Sequence, residues 1–140
     1  MRKSTLRAIE LLRKKNKIDI ELQHQDLVEG QNKLSHQQQM LAALDEIKNR
    51  TIDPQDLEMI INASKLSTVI DHLSIHQRQE IGISQAVVNH HENELQQLNR
   101  QEHCLGLLHD KIMDEVASER SKEEQKQIDQ LISSRFKNTD

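Results

Sequence analysis

Eight histidines and one cysteine are the side chains of this 140-residue sequence best suited to chemistry. His72 and His76 stand four apart, so on a helix they share a face and offer two imidazoles of a zinc site. No further ligand follows at a matching spacing, and the adjacent His90 and His91 point to different faces. These residues read as polar seam and surface histidines. Cys104 has Glu102, His103 and Leu105 as neighbours, which is not the cationic surrounding that makes a reactive thiolate. There is no glycine-rich phosphate loop, and no Ser/His/Asp arrangement on a strand-and-loop scaffold. The expectation is therefore a protein that is not an enzyme, with no metal and no other cofactor.

The elements that carry these side chains are helices too thin to enclose a site. Apolar residues make up 34% of the chain, and Phe136 is the one aromatic, which leaves little to fill a three-dimensional core. A one-dimensional stripe is still within reach. From Pro54 to about Phe136 no residue forces a helix to stop. Leu66, Ile70, Leu73, Val87, Val88, Leu95, Leu98, Leu105, Leu108, Ile112 and Val116 recur at helical spacing. About 80 helical residues would make a rod of roughly 120 Å, which needs a partner helix to bury its stripe.

The partner precedes it. Ser4 or Thr5 is expected to cap a first helix, and Leu6, Ile9, Ile20, Leu27, Leu34, Leu41 and Leu44 fit one heptad frame. Its companion positions, Asn16, Gln23, Gly30 and Gln37, are polar or small, so the seam is weak. The strong break is Arg50-Thr51-Ile52-Asp53-Pro54, where Thr51 or Asp53 can cap the next helix while Asp56 and Glu58 favour its positive end. The fold class predicted is all-α: an elongated two-helix antiparallel coiled-coil hairpin, with a short first helix (about 5–49), a turn at 50–54 and a long second helix (about 54–135). A tight turn there would set residue i beside about residue 103 − i, leaving a C-terminal overhang, about 99–140 and partly disordered, whose apolar stripe has no internal partner.

Charge bounds the partners. The net charge is −4, but residues 2–17 hold seven basic side chains against the single acid Glu10. Without interleaved aromatics this run reads as a solvated helix end or a docking patch for an acidic protein rather than a nucleic-acid or lipid-headgroup site. One cysteine excludes an internal disulfide and suits a reducing compartment. No apolar run approaches the roughly 18 residues that span a bilayer. The expectation is a cytoplasmic chain with no direct membrane insertion and no nucleic-acid partner.

The segment Glu124-Gln125-Lys126-Gln127-Ile128-Asp129-Gln130-Leu131-Ile132-Ser133-Ser134-Arg135 resembles the closing motif of the flagellar export protein FliJ family. The opening Leu6-Arg7-Ala8-Ile9-Glu10-Leu11-Leu12-Arg13-Lys14-Lys15, and the plan of two unequal helices, resemble that family as well. Gln130 stands where the family usually has Glu, and the aromatics scattered through its members are absent here. The stalk proteins of virulence type III secretion systems share the architecture. The resemblance implies a non-enzymatic central stalk, monomeric when free, at the cytoplasmic face of the inner membrane. Its paired termini would enter an export ATPase hexamer, its hairpin tip would reach the export gate membrane protein, and it would bind export chaperones. Leu66 would sit where the family carries a hairpin-tip Phe, and the gate-facing tip would use the apolar face of Leu41, Leu44, Leu66, Ile70 and Leu73. The ring-facing end would use Arg7, Arg13, Lys14, Leu105, Leu108, Ile112, Gln125, Ile128, Asp129 and Leu131. A homodimeric coiled-coil adaptor without an ATPase is the alternative.

Overall fold

The computed structural model describes residues 2–50 and 56–138. It is an all-α antiparallel hairpin of two helices, α1 (Arg2–Asn49) and α2 (Leu57–Asn138). Helix α1 is already formed at Arg2, ahead of the expected caps Ser4 and Thr5, because Arg2 Nη1 is tied to Glu115 (2.9 Å) and Glu119 (3.1 Å) of α2. Pro54, with the expected caps Thr51 and Asp53, lies outside the described residues. Asp56 caps α2: its Oδ1 accepts from the Met59 N–H at 2.7 Å, taking one of the free donors of the first turn.

The chain packs as two compact units. In the unit formed by residues 21–96, Leu27 and Leu34 of α1 and Val88 of α2 make the buried centre, with Ile81 and Leu95 packed against it. The seam is polar between these layers. Gln77 Nε2 donates to the Gln37 carbonyl oxygen at 3.2 Å, and His91 Nδ1 lies 2.9 Å from Gln23 Oε1. Lys48 pairs with Asp71 near the end of α1.

In the unit formed by residues 1–20 and 97–140, Ile9 and Asn16 are buried, and Arg13 Nε donates to Glu102 Oε1 at 2.9 Å. His109 Nε2 approaches Glu10 Oε1 at 3.7 Å. Across the two units, Asn16 Nδ2, Gln37 Oε1, Ser74 Oγ and Glu102 Oε2 are buried without a hydrogen-bond partner. Each such group costs about 1–3 kcal/mol, so the seam is weakly held.

The pairing register differs from the one a tight turn at Pro54 would impose. Arg13 with Glu102, Glu10 with His109, Gly30 with Val88, and Lys48 with Asp71 place residue i level with about residue 118 − i. The offset from the expected register is about two heptads. Apolar burial explains it: only the longer offset lets α1 cover Leu105, Ile112 and Val116, all of which are partly buried. The expected overhang from residue 99 is thereby corrected, since α1 contacts α2 as far as Glu119. The exposed C-terminal stretch is thus shortened to about 117–137, and the first turns of α2 are exposed as well.

Candidate functional site

Two exposed apolar faces are candidates, one in each unit. In the unit of residues 21–96, Asn49 stands level with about Val69, so the first turns of α2 have no counterpart on α1. Leu57, Met59, Ile60, Ile61 and Leu66 are all exposed there. Five residues were expected to form a gate-facing tip, and the structure divides them. Ile70 is buried at 5% exposure and Leu41 and Leu44 are partly buried, so these three belong to the seam. Leu66 and Leu73 are half exposed. Leu73 lines a shallow groove with Met40, Leu44, Ile47 and His76, and Leu66 lines another with Ile47, Lys48 and Arg50. Sequence reasoning missed Leu57, Met59, Ile60 and Ile61. Their one signal in the sequence was an apolar cluster directly after the proline.

In the other unit, the ring-facing expectations divide likewise. Arg7 and Lys14 are exposed, whereas Arg13 is committed to Glu102. Leu105 and Ile112 are partly buried in the seam, so they are not a free surface as the expected overhang required. Leu108 faces solvent.

From Ala117 to Lys137 every residue is exposed, including Gln125, Ile128, Asp129 and Leu131. Gln125 Nε2 donates to Asp129 Oδ1 at 3.2 Å, a bond along the helix. Ile128, Leu131, Ile132 and Phe136 form one apolar stripe. Counting about 100° per residue, this stripe lies roughly half a turn away from the seam positions Ile112 and Val116. It does not continue the surface that α1 covers.

Charge separates the units. Residues 1–20 and 97–140 hold 14 basic and 11 acidic side chains, whereas residues 21–96 hold 5 basic and 12 acidic. A partner for the terminal unit therefore gains from acidic side chains, and one for the other unit from basic ones.

Of the residues suited to chemistry, His72 and His76 are exposed, His91 lies in the seam against Gln23, and Cys104 is exposed. Among the described residues, no group of three or more His, Cys, Asp or Glu is placed to hold a metal ion. No helix among them is long and apolar enough to cross a membrane. What the arrangement offers is contact surface on two helices. No protein-family model matches the chain, and no curated protein or solved structure is found similar to it.

Proposed function

We propose that this chain is the non-enzymatic central stalk of a type III protein-export ATPase complex, of flagellar or virulence type. The observation that carries the reading is the exposed α2 segment 117–137. Its stripe of Ile128, Leu131, Ile132 and Phe136 is exposed, and it coincides with the Glu124–Arg135 motif that resembles the FliJ family. In this reading the segment, with exposed Arg7 and Lys14 and the basic N-terminal turns, enters the ATPase ring. Leu66 and Leu73, joined by Leu57, Met59, Ile60 and Ile61, face the export gate, and export chaperones dock along the same hairpin. The site of action is the cytoplasmic face of the inner membrane. The test is binding to, and stimulation of, the cognate ATPase hexamer by the full chain and by a chain ending at Glu123. The full chain should bind and stimulate, and the shortened one should bind weakly. Equal behaviour of the two removes the reading.

A homodimeric adaptor is the second reading, favoured by the same off-seam stripe, which a second copy could cover. Sedimentation equilibrium separates the two: the stalk is a monomer alone and the adaptor a dimer.

A further inference from the structure

We propose that the hairpin has a second register one heptad away, in which α1 is displaced seven residues towards the start of α2, so that residue i stands level with about residue 111 − i. This inference is independent of the export reading.

The pattern of the unit of residues 21–96 carries it. In the observed register Leu27 stands level with His91, Gly30 with Val88, Leu34 with Ser84, Gln37 with Ile81, and Leu41 with Gln77, as counted from the Gly30 to Val88 contact. Each layer sets one bulky apolar residue against one small or polar residue. The same alternation repeats every seven residues on both helices. After the displacement Leu27 meets Ser84, Gly30 meets Ile81, Leu34 meets Gln77 and Leu41 meets Ile70. Bulk still faces lack of bulk. The one layer that loses apolar content, Gln37 against Ser74, is offset by Leu41 against Ile70. A heptad repeat specifies its register only through positions that break the repeat, and this stretch has few.

The connection decides the direction. Seven residues, 50–56, join the helices, and their extended reach is about 28 Å. In the observed register Leu57 lies about 12 residues, or 18 Å, beyond the level of Asn49. A heptad further would require about 28 Å along the axis in addition to the helix separation of about 8–10 Å, which the connection cannot span. A heptad the other way shortens the requirement to about 8 Å.

The observed register is held by the α1 cover over Ile112 and Val116, which displacement removes, and by charged pairs. Displacement separates Lys48 from Asp71, and in the terminal unit it sets Glu102 level with Ile9 and Arg13 with Leu98. The Arg13 to Glu102 pair is therefore the charged part of the latch. The device moves each α1 side chain about 10 Å along α2 while the helices stay paired.

The test uses cysteine pairs in a Cys104→Ser background, equilibrated in a glutathione redox buffer. Gly30→Cys is combined with Val88→Cys for the observed register, with Ile81→Cys for the displaced one, and with Leu95→Cys for the one the connection forbids. Helix content is checked by far-UV circular dichroism. The Ile81 pair should cross-link well above the Leu95 pair, and Glu102→Leu should raise its yield several-fold. A second measurement leaves the seam untouched: spin labels on exposed positions 36 and 93, in the same background, should give a second distance population about 10 Å longer. Glu102→Leu should enlarge that population. Equal yields for the Ile81 and Leu95 pairs, or a single spin distance unchanged by Glu102→Leu, overturns the proposal.

Discussion

Gly30 and Val88 face each other across the seam so closely that a Cβ on Gly30 would stand 3.3 Å from Val88 Cγ2. At Gly82, by contrast, a Cβ would meet nothing within 4 Å. Neither glycine has a positive φ, so both are ordinary helical residues without side chains.

Gly82→Ala should stabilise the hairpin by about 0.5–1 kcal/mol, the usual helix-interior difference between the two residues. Gly30→Ala gains the same propensity but loses part of it to crowding against Val88. Its gain should be the smaller, and Gly30→Leu should destabilise by about 1–3 kcal/mol. Urea unfolding followed by circular dichroism ranks the three, and a Gly30→Ala gain equal to that of Gly82→Ala contradicts the packing described.

Ile70 and Leu73 are three residues apart but differ in burial, 5% against 49% exposed. Ile70→Ala should cost about 2–3 kcal/mol and Leu73→Ala well under 1 kcal/mol. If the stalk proposal holds, Leu66→Ala with Leu73→Ala should weaken binding to the export gate while moving the unfolding midpoint little. A large loss of stability in that double variant would assign both residues to the core.

Arg13→Ala removes the partner of a half-buried carboxylate whose other oxygen is already unsatisfied. Because both side chains retain some solvent, the loss should be modest, about 1 kcal/mol. Arg13→Leu combined with Glu102→Leu should recover it or exceed it, as apolar replacement of a buried pair often does. A double-mutant cycle in urea measures the coupling, and a double variant less stable than Arg13→Ala runs against the assignment.

Ending the chain at Glu123 should leave the unfolding midpoint unchanged within about 0.5 kcal/mol, since residues 124–137 are all exposed. Circular dichroism should lose helix in proportion to the length removed. A marked drop in stability would mean that this segment packs on the hairpin.

The fold was legible because helical spacing is local. Leu27 and Leu34, with Gln23, Gly30 and Gln37 between them, occupy the heptad frame read from the sequence, and the buried positions of α1 follow it from Leu6 to Leu44. The register was not legible, and the site residues suffered for it. Leu105 and Ile112 were assigned to a free surface because a proline turn was taken to fix the offset. Their burial is set by which offset covers the most apolar area, a global comparison between near-equivalent pairings. Leu57 to Ile61 were overlooked for the same reason, since a residue past the reach of α1 is recognisable only once that reach is known.

The outward stripe of Ile128, Leu131, Ile132 and Phe136 faces away from the side on which α1 lies. A partner clasping this stripe and not Arg7 or Lys14 would hold the molecule by α2 alone and would leave the grip on α1 untouched. Attachment and hairpin opening are then uncoupled events: α1 can peel from α2, or re-form on it, while the protein stays moored.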